Sequence, residues 1–594
     1  MQAAVQAHRA GRLAEAVTLY RQAAKAAPAM APAHYNLGLA LRASGQPRAA
    51  EQALAAAIKA DSGYWRAHAS LAGLAGERGQ PAQALHHWLA AYRLAPDEPE
   101  VLGGLVRALG SMRFSAADPR LETLTRQLLE RHDVEGQRLA GAALSLLELH
   151  PPVADALAGG RLEPLVREPP PLLAAVLRRT IVAAPRWEAM LTRLRDFLAV
   201  SFRALDAPEA PLLQALATQM LAADYAFAAA GEEPALPPLP TPGGILTPAH
   251  AIHALYRPLR DFAQDLSGPE DWSAFLDLHL ARPLAEQAAA EAIPALTAIE
   301  DATSRAVRDQ YAALPYPRWM ATRAITPRPR RDILRSVVPG AAASLPPEPS
   351  PLRVLVAGCG TGKHAVDVAT RFANADVLAV DLSRPSLGYA AAQAARLGIA
   401  NLRFAEADIL ALGSLTERFD HIEAMGVLHH LADPLAGWRV LDSLLAASGT
   451  MRIGLYSRRG RTAIRAAQAI ARDYSTDPDG LRALRQAIHA LPEDHPAAPV
   501  RRELDFYTLS GVRDALAHEQ EHDYTLPEIA ELLAALDLQF LGFEFAAADG
   551  PALYRKAYPE DPAMTGLDRW DTLEQAHPGL FHHMYQFWCL RAAR

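Results

Sequence analysis

Residues 352–381, LRVLVAGCGTGKHAVDVATRFANADVLAVD, constrain the fold of this chain more than any other stretch. They read as strand, glycine turn, helix and strand. Val354, Leu355, Val356 and Ala357 form a short apolar run ending at a glycine cluster, the pattern of a strand buried on both faces of a parallel sheet. Gly358, Gly360 and Gly362 follow at a spacing of two. Such a turn lets backbone approach a ligand that a Cβ would exclude, and the helix starting near Lys363 aims its free N–H groups at the same place. A second apolar run, Val377 to Val380, ends in Asp381, nineteen residues beyond Gly362. A carboxylate at that strand tip is the acceptor that the two hydroxyls of a ribose require.

Glycine spacing separates two classes of nucleoside cofactor. A dinucleotide fingerprint, G-x-G-x-x-G, needs a third glycine at position 363, where this chain has lysine, and a nicotinamide-dependent oxidoreductase is therefore disfavoured. The observed AGCGTG resembles motif I of the class I methyltransferases, which bind S-adenosylmethionine. Later segments extend the resemblance. Leu402 to Phe404, leading into Ala405-Glu406-Ala407-Asp408-Ile409, resembles the third strand of that fold. FDHIEAMGVLHHLADP, Phe419 to Pro434, resembles the fourth strand and its exit in many small-molecule methyltransferases. GTMRIGLY, Gly449 to Tyr456, reads as a fifth strand after a helix centred on Trp438 to Leu445.

The resemblance implies roles residue by residue. Gly358, Gly360 and Gly362 would line the methionine end of the cofactor, Asp381 the ribose, and Asp408 with Ile409 the adenine; Met425 and Gly426 would sit beneath it, and Leu382 belongs to the same cofactor-binding set. One departure bears on substrate: no N-P-P-Y type tetrapeptide follows the fourth strand, which argues against amino-methylation of a nucleobase. His429 and His430, on the strand exit, are the candidate catalytic bases, because a neutral imidazole accepts a proton near pH 7.

The first hundred residues repeat at a shift of thirty-four. Gly11, Gly45 and Gly79 coincide, as do Ala16, Ala50 and Ala84, the bulky set Tyr20, Leu54 and Trp88, and the small set Ala23, Ala57 and Ala91. That period and size pattern resembles the tetratricopeptide repeat (TPR), three copies over about residues 1–96, with a capping helix from Asp97 to about Leu109. Stacked repeats form a curved surface with a groove. Such a groove binds a protein partner or protein acceptor, or serves as a packing platform for the rest of the chain.

From Phe114 to Gly231 amphipathic helices continue without that register. Residues 232–248, EEPALPPLPTPGGILTP, hold six prolines and two glycines and predict a loop or hinge. Helices resume from Ala249 to about Ala312, and a second proline-rich passage runs from Thr326 to Pro351. Between them, Tyr316-Pro317-Arg318-Trp319 is held extended by Pro315 and Pro317, so that Tyr316 and Trp319 are displayed as a flap over the cofactor pocket or dock the linker on the core. Tyr316, Trp319 and Tyr456 are the candidate substrate or lid residues.

After the fifth strand, Arg458, Arg459 and Arg461 bind an acidic acceptor group or form a solvated loop. His518 to His522 formally matches the H-E-x-x-H zinc motif, but Pro527 and polar flanks argue against a zinc helix, and no metal is expected. At the C-terminus, Phe581, Tyr585 and Trp588 at i, i+4 and i+7 predict a helix with one bulky stripe that anchors the tail.

At 594 residues the chain is too long for one core. The expected fold is multidomain: an all-α TPR and helical N-terminal half, followed by an α/β Rossmann-like class I methyltransferase domain. The boundaries are residues 1–110 for the repeats, 111–300 for a helical region, 301–350 for a linker with the YPRW segment, 351–545 for the methyltransferase domain and 546–594 for a helical tail. A net charge of −7 supplies no basic field for nucleic acid. Two cysteines make neither a disulfide framework nor a zinc pair, and no leader or membrane-length apolar run is visible, so a cytoplasmic protein is expected. The motifs together resemble bacterial TPR class I methyltransferases along nearly the whole chain, implying an S-adenosylmethionine-dependent methyltransferase that acts on a protein or small molecule. A scaffold that binds the cofactor without turnover is the alternative.

Overall fold

The thirty-four-residue period becomes pairs of antiparallel helices in the computed structural model, which describes residues 1–227, 234–240, 244–263, 265–323, 325–338, 345, 348–545 and 549–591. Helices α1 (Gln2–Arg9), α2 (Leu13–Ala26), α3 (Ala31–Ala43), α4 (Pro47–Ala60), α5 (Trp65–Glu77) and α6 (Pro81–Leu94) form the repeats, and α7 (Pro99–Gly110) closes them. The recurring glycines turn the chain within each pair: Gly11, Gly45 and Gly79 have φ of 73°, 72° and 68°, with open space where a Cβ would stand. Their need is conformational. The small positions serve packing, for a Cβ on Gly104 would lie 2.3 Å from the ring of Trp88 and one on Gly38 would lie 2.7 Å from Leu54. These helices belong to a first compact unit, Met1–Asp155 with Pro170–Thr180 and Ala321–Thr326.

The second unit comprises Ala156–Pro169, Ile181–Met320 and Pro327–Arg594. The helices expected over 111–300 thus fall into both units. At its centre is a seven-stranded sheet built from β1 (Leu352–Ala357), β2 (Ala375–Asp381), β3 (Leu402–Glu406), β4 (Phe419–Met425), β5 (Leu445–Tyr456), β6 (Leu538–Phe543) and β7 (Met584–Arg591). Their order across the sheet is β3-β2-β1-β4-β5-β7-β6; every pairing from β3 to β5 is parallel, and β7 runs antiparallel to both β5 and β6. Both faces of β1 are buried, Leu355 and Ala357 in one core and Val354 and Val356 in the other. Helices Lys363–Arg371, Arg384–Arg396 and Pro434–Leu444 make the crossovers. This is a Rossmann-like sheet. Because the chain passes from β1 outward to β3 and then returns to place β4 on the other side of β1, the order reverses between β1 and β4, where a crevice opens at the carboxyl ends.

The C-terminal segment departs from expectation. Phe581, Tyr585 and Trp588 do not share a helix; helices Asp549–Ala557 and Leu567–Ala576 precede a strand, β7, inserted between β5 and β6. Tyr585, Phe587 and Cys589 face one core and Trp588 the other, an alternation with period two. With both faces buried, nearly every residue is apolar and the period is hidden. The linker also holds regular structure, helices Ala302–Ala313 and Arg330–Val337. In the first proline-rich passage, residues 232, 233 and 241–243 lie outside the described residues, as do 339–344, 346 and 347 of the second. Gly244–Ile245 pairs with Leu266–Ser267 in a short parallel ladder. Among the described residues, no helix is long and apolar enough to cross a membrane.

Candidate functional site

Each carboxyl end of β1 to β5 delivers a short segment to one cavity of about 390 Å³, a volume in the range of small-molecule sites. After β1 the chain turns through Gly358, Gly360 and Gly362, with φ of 68°, 51° and 82°. A Cβ on Gly358 would lie 2.3 Å from Val427, one on Gly362 would lie 2.5 Å from Ala390, and one on Gly360 would lie 3.1 Å from the carbonyl oxygen of Tyr316. Both the conformation and the space require glycine. Gly358 and Gly360 line the cavity; Gly362 does not, its role being to close the turn and start the helix Lys363–Arg371.

Asp381, at the end of β2, holds that turn. Its Oδ2 accepts a hydrogen bond from the Gly360 N–H at 2.7 Å and its Oδ1 accepts one from the Ser383 N–H at 2.9 Å. Burial pushes the carboxyl above its usual range, while the N–H groups of Ser383, Gly360 and Leu382 pull it back. Leu382 lines the cavity beside it. From β3 come Asp408, 2 % exposed, whose Oδ1 caps Leu410 N–H at 2.9 Å, and Ile409. From β4 come Met425 and Gly426, and from the end of β5 comes Tyr456. One wall is Ser304, Val307 and Tyr311 of the helix Ala302–Ala313.

The YPRW passage divides between its two expected roles. Tyr316 lines the cavity and its hydroxyl donates to Asp505 Oδ1 at 2.8 Å. Trp319 does not line it and is not displayed; buried, it donates from Nε1 to the carbonyl of Thr361 at 2.8 Å and packs edge-on against Tyr389. It clamps the glycine turn from behind.

The two candidate bases also separate. His430 lines the cavity, and its Nδ1 lies 2.8 Å from the carbonyl oxygen of Gln520, which fixes the ring hydrogen on Nδ1 and leaves a lone pair on Nε2. Burial, and then His429 and His518, hold its pKa well below the ordinary value, so it is neutral. His429, 0 % exposed, stands behind Tyr456 with ring centroids 3.7 Å apart and does not line the cavity.

Neither reading of the arginine run describes it. Arg458 pairs with Asp523 at 2.8 Å and Glu528 at 3.0 Å, Arg459 with Asp571 at 2.6 Å and Glu574 at 2.9 Å, and Arg461 with Glu521 at 2.8 Å while lying 3.6 Å over the Tyr456 ring. These charges are matched within the protein.

His518 and His522 lie in the loop after helix Leu509–Leu516, not on a helix. Ligand atoms of His430, Asp514 and His518 do fall within 4.8 Å of one another. Hydrogen bonds commit them otherwise: Gln520 N–H donates to His518 Nδ1 at 3.1 Å, so Nε2 carries the hydrogen and faces the Tyr311 hydroxyl at 3.2 Å, while that hydroxyl donates to Asp514. Tyr311, Asp505, Asp514 and Met584 are the residues that sequence reasoning missed. No local spacing links them to the glycine turn; Tyr311 and Asp514 are 203 residues apart.

Residues 354–449 match the family model of the methyltransferase domain, and residues 7–73 match that of the tetratricopeptide repeat. An uncharacterized protein of Synechococcus sp. is 32% identical over 269 residues, 41% of this chain and 61% of that protein. Trans-aconitate 2-methyltransferase of Deinococcus radiodurans is 30% identical over 155 residues, 26% of this chain and 57% of that enzyme. The chain thus spans about three-fifths of the length of these curated relatives. Among solved structures, PKMT2 from Rickettsia typhi in complex with AdoHcy is 19% identical, covering 47% of this chain and 55% of that one with a TM-score of 0.35.

Proposed function

From a chain that carries a methyltransferase domain at residues 354–449 and tetratricopeptide repeats at residues 7–73, we propose an S-adenosylmethionine-dependent methyltransferase whose repeats engage a protein partner or protein acceptor. One observation carries the reading. The glycine turn and the acid that follows it nineteen residues later are joined by a hydrogen bond of 2.7 Å on the wall of a single cavity at the sheet's reversal point.

That cavity fits the cofactor. Backbone without Cβ at Gly358 and Gly360 accommodates the methionine end, Asp381 and Leu382 the ribose, Asp408 and Ile409 the adenine, and Met425 and Gly426 close the floor. When bound, S-adenosylmethionine supplies a methyl group already activated as a sulfonium. The protein's own tasks are alignment, exclusion of water and, for a protonated acceptor, removal of a proton. Tyr316 and Tyr456 close the acceptor side, and His430 presents a neutral Nε2 there. His429 acts through Tyr456 as a positioning residue. The compartment that suits two free buried thiols, Cys359 and Cys589, is the cytoplasm.

Label from methyl-tritiated S-adenosylmethionine, incubated with the full chain and a bacterial lysate, is expected in a defined fraction. Tight cofactor binding with no label in protein, lipid, nucleic acid or small molecules would establish a scaffold instead. His430→Ala is expected to lower kcat about tenfold with cofactor affinity held, the loss of one polar partner on the acceptor side. Unchanged turnover would remove His430 from the mechanism.

A further inference from the structure

A second cavity, of about 180 Å³, adjoins the first and shares Tyr316, Tyr456, Asp514 and Met584 with it. A group entering there reaches the methyl end of the cofactor site on which the proposed function rests. Asp505, Asp514 and Glu503 line it with Arg461 and His583, among Phe506, the two tyrosines and aliphatic side chains.

The charges around it do not cancel. Arg461 is bound to Glu521 at 2.8 Å, and His583 faces Glu503 at 3.3 Å. Among the described residues, neither Asp505 nor Asp514 has a cation within ion-pair distance. Asp505 receives the Tyr316 hydroxyl at 2.8 Å and Asp514 the Tyr311 hydroxyl at 2.5 Å. A buried carboxylate is costly without a counter-charge. Tyr456, 8 % exposed, lines both cavities and its hydroxyl has no hydrogen-bond partner among the described residues. Arg461 and His429 take the two faces of its ring, so what it offers is the free hydroxyl oxygen, an acceptor for an N–H. An anionic acceptor would meet two like charges instead.

We propose that the acceptor is an alkyl amine, entering as its ammonium ion between Asp505, Asp514 and Tyr456. An ammonium has no lone pair and must first lose a proton. Asp514 takes it: burial pushes this carboxyl up to about 7, with Asp505 and Glu521 adding to the rise and Tyr311 and Arg461 opposing it, while His430 and His518 face it as neutral rings. The freed amine pair then forms the new N–C bond, the electrons of the broken S–C bond stay on sulfur, and the Asp514 proton leaves to water. Because the carboxylate is the working form, kcat/KM should rise with pH and level off above about 7. In Asp514→Asn that inflection should disappear.

Two measurements test this. In the labelling experiment, the label should be recovered after hydrolysis as a base-stable N-methylamine, in the protein fraction for a side-chain amine or in the small-molecule filtrate for a free one. Label in a base-labile methyl ester, an ether or a thioether would overturn the amine and leave the methyltransferase standing; no label from protein that binds the cofactor would end both. Calorimetric titration of the full chain saturated with S-adenosylhomocysteine should give heat for hexylamine and none for hexanoate. Asp505→Asn should weaken hexylamine about tenfold, the loss of one charged partner. Tighter binding of hexanoate than of hexylamine would refute the assignment.

Discussion

Replacing Asp381 with alanine is expected to weaken S-adenosylmethionine binding about a hundredfold or more. The carboxylate ties the Gly360 N–H to the end of β2 and accepts from Ser383 as well, so its loss leaves two N–H groups unpaired and frees the turn. Hydrogen bonds to a charged group contribute about 1.5–3 kcal/mol each, and 1.4 kcal/mol is tenfold in affinity. The ribose acceptor disappears in the same step. Asp381→Asn retains one carbonyl oxygen and should fall between wild type and alanine. Calorimetry on both variants decides it, and wild-type affinity in Asp381→Ala would break the link between the acid and the cofactor.

Trp588→Ala should cost about 3–5 kcal/mol of stability, the range for removing a buried tryptophan or phenylalanine. Trp588 is 0 % exposed in β7, its ring stacks on His421 with centroids 4.9 Å apart, and its Nε1 donates to Glu544 at 2.9 Å. β7 joins β5 to β6, so its loosening reaches the edge of the sheet next to the site: Met584, the strand's first residue, lines both cavities. Urea unfolding measures the change. A loss below about 0.5 kcal/mol, the size of an ordinary surface change, would mean that the tail does not pack as a central strand.

The joining of the glycine turn to Asp381 was legible because its signals are local. Gly358, Gly360 and Asp381 belong to one strand-turn-helix-strand unit, and the constraint on each is set by residues near in sequence. The repeat was legible for the same reason, since Gly11, Gly45 and Gly79 mark turns at a fixed interval. The opposite wall of the cavity was not. Asp505 and Tyr316 meet across 189 residues, and the partners of each arginine in the 458–461 run come from 60 to 115 residues away. No periodicity records such meetings. The C-terminal strand was misread because a central strand buried on both faces hides its alternation, leaving Phe581, Tyr585 and Trp588 at helix-like intervals. Trp319, expected to share the role of Tyr316, points the other way because its indole N–H is taken by Thr361.

Calorimetric titration of the 594-residue chain with S-adenosylmethionine and with S-adenosylhomocysteine tests the central claim most directly. One site per chain for both compounds is expected, weakened together by Asp381→Ala and with no competition from a nicotinamide dinucleotide. Folded protein that gives no heat with either sulfur compound, yet binds the dinucleotide, would contradict the account.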